Sequence, residues 1–292
     1  MKPVKALAAA VFGLAALALS STVLAETPDS TRWIVTTARG HGARGEQYFS
    51  TVRVHNPNAV DATASWSFLP QSPLDASGRA LGDNSNAPSA EITVPAGGSV
   101  ELASFWPEPG ANLAGAVRVT STATDSGGRP LPLTARSVTR AFRPSPAGVV
   151  LGPLIEGVSA ASLIGAGETG RIPYLQAGQS DDNTFRSNVF LLSTNAAEVT
   201  ELTLTLLDGD GASRGEKTIT LGRLAQTQLT DVARAFGYVP CLHGCPSGSL
   251  SPEPIEVLVR VVHGGPVVSA GVLIENESGS NLFVPSVKTT TP

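Results

Sequence analysis

Two cysteines and a histidine lie close together in the last third of the chain. Cys241 and Cys245 are the only cysteines, and His243 stands between them. An even cysteine count in an exported chain predicts a local disulfide. The alternative is a metal site, but two thiolates and one histidine fall short of the four ligands of a closed zinc site. We predict a Cys241–Cys245 disulfide that stiffens a surface loop, and no metal site.

Aspartate-glycine segments are the next candidates for chemistry. Asp208 and Asp210 are close enough in sequence for two carboxylates to share a calcium ion. The EF-hand register is absent, because Ile219 stands where the twelfth loop position requires glutamate. Asp125 begins an Asp-Ser-Gly triplet that resembles half of an aspartic-protease site, but that chemistry needs a second carboxylate. Tight turns are the simpler interpretation of both segments.

Candidate catalytic side chains are dispersed. The four histidines have no metal-binding spacing, and no serine lies in a Gly-x-Ser-x-Gly elbow. An extracellular hydrolase stays open as an alternative, because two loop carboxylates could face each other across a cleft. The candidate acids for it are Asp181, Asp182, Glu253 and Glu256. We predict no catalytic residue, no cofactor and no enzymatic activity.

Aromatic side chains supply a candidate binding surface. Trp33, Trp106 and Tyr238 could form an exposed strip for stacking on sugars if their loops share one end of the fold. That strip would define a carbohydrate-binding module, a second alternative. Trp106 could instead plug the space between two domains, which is the favoured reading of that residue. With His243, these three residues make up the predicted binding surface.

The N-terminus predicts export. Lys2 and Lys5 precede an uncharged apolar run, Ala6–Leu19, and small residues lead to Ala25. This is the pattern of a cleavable signal peptide over residues 1–25, and the run is too short to cross a bilayer. Removing the two lysines takes the net charge from −4 to −6. We expect a periplasmic or extracellular protein that binds no nucleic acid and does not insert into a membrane.

Short strands must position these residues. Glycine and proline punctuate apolar segments rich in Val, Thr and Leu, which is typical of an all-β fold. An offset of 138 positions aligns Val52 and Val54 with Phe190 and Leu192, and predicts that both pairs face a core. A strand-rich unit repeated once predicts two tandem β-sandwiches, with one larger jelly-roll-like sandwich as the alternative. We predict domains at 26–143 and 153–287, a proline-rich linker at 144–152 and a loose tail at 288–292.

Several short motifs resemble repeats in uncharacterised secreted bacterial proteins. They are Trp33–Val35, Phe49–Pro57, Phe68–Pro70, Phe185–Asn188, Asp208–Gly211, Ile274–Asn276 and Phe283–Pro285. The resemblance implies tandem immunoglobulin-like β-sandwich domains and export, and brings no activity or ligand with it. We expect a binding or structural module that presents loops and strand edges to a protein or cell-envelope partner.

Overall fold

The computed structural model describes residues 29–41, 47–102, 112–142, 149–176, 185–238, 254–275 and 281–289. Within them the protein is all-β, with one short α-helix, α1 (Val232–Ala235), and one 3-10 turn (Ala160–Ser162). The first nine strands are β1 (Thr31–His41), β2 (Gln47–His55), β3 (Ala62–Pro70), β4 (Arg79–Ala80), β5 (Ser89–Val94), β6 (Ser99–Glu101), β7 (Leu113–Ser121), β8 (Thr134–Phe142) and β9 (Val149–Glu156). The next nine are β10 (Thr169–Gln176), β11 (Phe185–Ser193), β12 (Thr200–Leu207), β13 (Ser213–Leu221), β14 (Gln226–Leu229), β15 (Pro254–His263), β16 (Val267–Glu275), β17 (Asn281–Pro285) and β18 (Val287–Thr289).

Sheet A folds over on itself to form a β-sandwich, which we call the N-terminal unit. Its strand order is β5-β3-β7-β1-β2-β8-β9, with β6 beside β2. The long strand β1 joins the halves, because it pairs with β7 along most of its length and with β2 at its end. Ile34 and Val117 from one half and Val52 and Ala135 from the other share one apolar core.

Sheets B and C form a second β-sandwich, the C-terminal unit. Sheet B has the order β18-β10-β15-β12-β13-β4, and sheet C has the order β14-β11-β16-β17. In β12, buried Leu202, Leu204 and Leu206 alternate with more exposed threonines, so one face of the strand packs and the other meets solvent. These leucines contact side chains of sheet C in the core between the two sheets.

The two units have the same strand order. The orders β5-β3-β7-β1 and β6-β2-β8-β9 in the first correspond to β13-β12-β15-β10 and β14-β11-β16-β17 in the second. The first three strands of each unit begin 138 residues apart, at 31 and 169, 47 and 185, and 62 and 200. A register shift also follows Ile34 in β1 and Ile172 in β10. Corresponding positions can therefore be compared pair by pair.

A third apolar core joins the units. From the N-terminal unit it contains Trp33, Val35, Leu69 and Ala116, and from the C-terminal unit it contains Phe190, Leu192, Leu224, Val268, Ala270 and Val272. The outer face of β1, β3 and β7 therefore packs on the outer face of β11 and β16, and the two units are held by burial of apolar surface.

Residues 71–88 of the N-terminal unit reach across to the C-terminal unit, and we call them the arm. Strand β4 of the arm runs parallel to β13, and Ala80 is fully buried in the core of the C-terminal unit. The arm also forms backbone and side-chain hydrogen bonds, including Ser72 N–H to Gln226 O at 2.7 Å and Thr227 Oγ1 to Ser72 O at 2.8 Å. Strand β4 of the arm therefore forms one edge of sheet B.

Two predicted segments, the linker at 144–152 and the loose tail at 288–292, overlap observed strands. Residues 149–152 of the predicted linker belong to β9, which pairs with β8; residues 144–148 lie outside the described residues. Pro153 is tolerated because β9 is an edge strand and its register shifts between Leu151 and Leu154. Lys288 and Thr289, assigned to the loose tail, belong to β18 and pair with β10. The predicted signal peptide lies outside the described residues.

Candidate functional site

Trp33 is part of the core between the units and not of a binding surface. Its side chain is 6% exposed. The guanidinium carbon of Arg118 lies 5.9 Å from the centroid of its ring, and burial lowers the pKa of Arg118. The backbone N–H of Trp33 donates to the Val158 carbonyl at 3.0 Å, and the Val158 N–H donates to the Trp33 carbonyl at 2.8 Å. The predicted role of Trp33 in an exposed aromatic strip is therefore corrected, because β1 is covered on both faces.

Tyr238 lies elsewhere, at the end of α1. Its backbone N–H donates to Ala233 O at 3.0 Å, and its half-buried side chain packs against the core of the C-terminal unit. The structure does not bring Tyr238 together with Trp33. Trp106, His243, Cys241 and Cys245 lie outside the described residues, so the disulfide stays a prediction.

The acidic segments form turns of one kind. In each, Oδ1 of an aspartate accepts the backbone N–H groups two and four residues later, and a glycine three residues later has a positive φ. The aspartates are Asp75, Asp125 and Asp208, and the acceptor distances range from 2.8 to 3.0 Å. Among the described residues, no group of three or more potential metal-ligating side chains comes together.

Asp208 is also held by an ion pair. Its Oδ2 accepts from Arg214 at 2.7 Å (Nε) and 2.6 Å (Nη2), and its side chain is 7% exposed. Hydrogen bonding to the Ala212 N–H, together with Arg214, keeps the pKa of Asp208 below its usual value. This carboxylate closes the β12–β13 hairpin, which accounts for the Asp-Gly-Asp-Gly motif without calcium.

Of the candidate hydrolase acids, only Glu256 falls within the described residues. It forms a bidentate ion pair with Arg171, at 2.8 Å (Nε) and 2.6 Å (Nη2). The pair raises the pKa of Arg171. Glu256 is thus engaged with a neighbouring strand.

Comparison of the two units shows which faces are covered. The strand pairs set the correspondence, so Trp33 and Ala116 in the N-terminal unit match Arg171 and Glu256 in the C-terminal unit. The first two residues are buried between the units, whereas the last two form the ion pair on an outer face. An apolar docking face in one copy is therefore a charged face in the other.

The outer faces of β2 and β8 in the N-terminal unit and of β11 and β16 in the C-terminal unit also differ. Here the C-terminal unit has the buried apolar face and the N-terminal unit has the charged one. Ser50 and Ser187 correspond, because each accepts a backbone N–H from the preceding strand at 2.8 Å. With this register Arg53 corresponds to Phe190. Arg53 pairs with Arg136 on β8 and Phe190 pairs with Ala270 on β16, so Arg136 corresponds to Ala270. Phe190 and Ala270 are buried between the units, and both arginines are exposed.

This register corrects the predicted alignment of β2 with β11. Val52 and Val54 face the core of the N-terminal unit, whereas Phe190 and Leu192 face the core between the units. The residues that match the two valines are Val189 and Leu191.

We call the exposed side of β2, β8 and β9 the arginine face. Its strand pairs form three cross-strand rows. The double-arginine row is Glu101, Arg53, Arg136 and Glu156; the apolar row is Thr51, Val138 and Leu154; and the flanking-arginine row is Arg39, Phe49 and Arg140. Leu154 is 45% exposed, and Phe142 at the end of β8 is 42% exposed. The face is therefore basic and partly apolar.

Sequence reasoning missed this surface, although a signal was present. Arg136, Val138 and Arg140 alternate with buried or core-facing Ala135 and Ser137, which is the period-two pattern of a strand. Only the pairing of β8 with β2 and β9 shows that the arginines meet further charges.

Comparisons with known proteins gave no match: the chain fits no protein-family model, and no curated protein is significantly similar to it. In the described part of the chain, no helix is both long and apolar enough to span a membrane.

Proposed function

We propose that the protein is an exported, non-enzymatic binding or structural module that contacts a protein or cell-envelope component. Its first 25 residues act as a signal peptide, and the mature chain consists of two related immunoglobulin-like β-sandwich domains. The observation that carries the proposal is the exposed arginine face on a body whose two units are joined by a buried core and by the arm. Such a body presents a surface in a fixed geometry, which suits binding.

The strand placement supports the immunoglobulin-like assignment. If the strands of the C-terminal unit are lettered in chain order, β11 and β14 take the places of B and E in one sheet, and β12 and β15 those of C and F in the other. The first strand of this lettering, β10, pairs with β15, the seventh, β16, pairs with β11, and the fourth, β13, pairs with β12. These three strands have exchanged sheets relative to the constant-type fold, so the support comes from the four strands at B, C, E and F. The same exchange in the N-terminal unit supports a repeat.

Photo-cross-linking tests the proposal. Only two lysines follow residue 25, Lys217 and Lys288, so amine-directed reagents would sample little of the surface. A benzoylphenylalanine is placed instead at Leu154 on the arginine face or at Val262 on β15, both about half exposed. The mature protein is irradiated on intact envelopes of its own host. We expect a stoichiometric adduct with one protein from at least one position.

Absence of a protein adduct from both positions would contradict a protein partner. If the protein associates with envelopes but forms no protein adduct, the partner would instead be a glycan component of the envelope. The unmodified protein, irradiated in parallel, controls for adducts that do not depend on the probe.

A further inference from the structure

We propose that the arginine face binds an acidic protein segment in an extended conformation, with carboxylates over its two arginine rows and an apolar side chain over its apolar row. This inference rests on the proposed function, since it names the surface and the chemistry of the partner.

The four arginines of this face outnumber its two glutamates, which both lie in the double-arginine row. Arg53 and Arg136 lie directly opposite each other on β2 and β8, and like charges in this arrangement destabilise a sheet. Arg53 has Glu101 at 4.0 Å, and Arg136 lies beside Glu156 without an ion pair within 4 Å in the described structure. Arg140 has no acidic partner among the described residues. An acidic partner would neutralise the net positive charge that the two glutamates leave on this face.

The corresponding face of the C-terminal unit is covered by the N-terminal unit of the same chain. Val138 matches Val272, and Val272 is buried against the N-terminal unit. Arg53, Arg136 and Arg140 match Phe190, Ala270 and Ile274, which pack in or against the same core. In the C-terminal unit this side of the sandwich therefore packs against another β-sandwich. The arginines change the chemistry of what can bind, from an apolar sheet face to an acidic one.

The composition of the face favours protein over other polyanions. An apolar centre with arginine on both sides matches protein interfaces, in which arginine and aromatic residues are enriched and charge is depleted at the core. A polysaccharide or a lipid headgroup would use the arginines but would leave Val138 and Leu154 without an apolar partner.

The spacing of the rows defines the sequence pattern of the partner. Arg53 and Phe49 are four residues apart on β2, so the two arginine rows are about 13 Å apart, with the apolar row between them. An extended peptide has the same rise per residue. Carboxylates at positions i and i+4 would therefore lie over the two arginine rows, and an apolar side chain at i+2 would lie over the apolar row. The pattern is acidic-x-apolar-x-acidic.

A designed peptide tests this geometry. The probe is acetyl-Thr-Glu-Thr-Val-Thr-Glu-Thr-amide, and its control has the same composition with the two glutamates adjacent. Binding to the mature full chain is measured by NMR titration at low salt, with a Kd on the order of 100 μM expected for the probe. The control should bind about tenfold more weakly, and added salt should weaken the binding of the probe.

Charge-reversal variants locate the site. The double variant Arg136→Glu/Arg140→Glu should weaken binding of the probe about tenfold or more. Arg260→Glu is the matched control, because Arg260 is an exposed arginine on a central strand of the other unit, between threonines on both sides. This control should bind the probe as the parent does, and unfolding curves verify that both variants fold.

Equal binding of probe and control peptide would overturn the inference, as would unchanged binding by the double variant. Binding of alginate oligosaccharide or phosphatidylglycerol vesicles in place of the peptide would also overturn it. A photo-adduct from Leu154 that persists in the double variant would retain the proposed function and reject this inference alone.

Discussion

Arg171 and Glu256 form a bidentate ion pair at the positions that correspond to Trp33 and Ala116. The N-terminal unit uses this place to bury a tryptophan against its neighbour, and the C-terminal unit closes it with charge. A repeat protein needs polar outer faces on its terminal copies, because an apolar face would recruit a further copy. The ion pair gives the second copy such a face.

The contrast between covered and exposed faces predicts opposite tolerances at corresponding positions. Ala270 is fully buried between the units, and its counterpart Arg136 is exposed. Ala270→Arg should lower the free energy of unfolding by about 3 kcal/mol or more, because it buries an unpaired charge. Arg136→Ala should change it by less than about 0.5 kcal/mol. Urea denaturation of the protein measures both, and similar small effects would mean that the units do not pack through Ala270.

A buried serine of β11, which is hydrogen-bonded to the last residue of β10, is a second test. The Ser187 hydroxyl accepts from the Gln176 N–H at 2.8 Å and donates to the Gln176 carbonyl at 2.9 Å. Ser187→Ala leaves two backbone groups without these partners and should cost about 1–3 kcal/mol of unfolding free energy. Ser137 is the control, since its buried hydroxyl has no hydrogen-bond partner in the described structure. Ser137→Ala should be close to neutral, and a larger loss for Ser137→Ala than for Ser187→Ala would contradict this assignment.

Acid should weaken the β12–β13 hairpin through Asp208. Its folded pKa lies below the usual value of 3.8, chiefly because of the Ala212 N–H and also because of Arg214. The stabilisation is fully present above the unfolded pKa and is lost as the pH falls through the folded pKa. Asp208→Asn should therefore lower the urea midpoint at about pH 7, and the difference from the parent should shrink as the pH falls below the usual pKa of 3.8.

Asp210→Asn serves as the control for this pH dependence, because Asp210 is exposed and its carboxylate forms no ion pair within the described residues. A deficit of Asp208→Asn that stays the same as the pH falls would exclude a contribution from ionisation.

Two glycines with similar backbones separate steric fit from conformational strain. Gly78 in the arm has φ +82°, and a Cβ there would lie 2.5 Å from the Thr218 carbonyl oxygen; Gly128 has φ +77° and open space around it. Gly128→Ala should cost about 1 kcal/mol from the positive φ alone. Gly78→Ala should cost about 1–3 kcal/mol more, because the arm must move away from β13. Calorimetric melting temperatures measure both, and equal losses would show that the arm does not pack closely there.

The sequence predicted the all-β class and the β-sandwich character because alternation is visible wherever a strand has one wet face, as in β12. Alternation disappears where a strand is buried on both faces. Val189, Phe190, Leu191 and Leu192 are all apolar, so nothing in the sequence distinguishes the residues that face each core. A shift of one residue exchanges the two faces, which is why the predicted alignment of Val52 and Val54 with Phe190 and Leu192 was wrong.

The same cause explains Trp33. It lies beside Ile34 and Val35, and the two sides of this run pack in different cores. An aromatic residue near a strand end reads equally well as a surface platform or as a buried residue. The arm could not be predicted either, because Arg79 and Ala80 pair over only two residues with a strand that lies about 140 positions later.

The arm sets a condition on how this chain can mature. Ala80 completes a core whose other members begin at Ile164, so the second half must be present before that residue can be buried. Until then Trp33 and Leu69 also have no cover. During N-to-C synthesis or translocation the first half therefore carries uncovered apolar surface, a state that attracts aggregation and chaperones. The chain should become soluble only when the second half has folded against the first. A truncation that ends before the second half should be poorly soluble and prone to degradation.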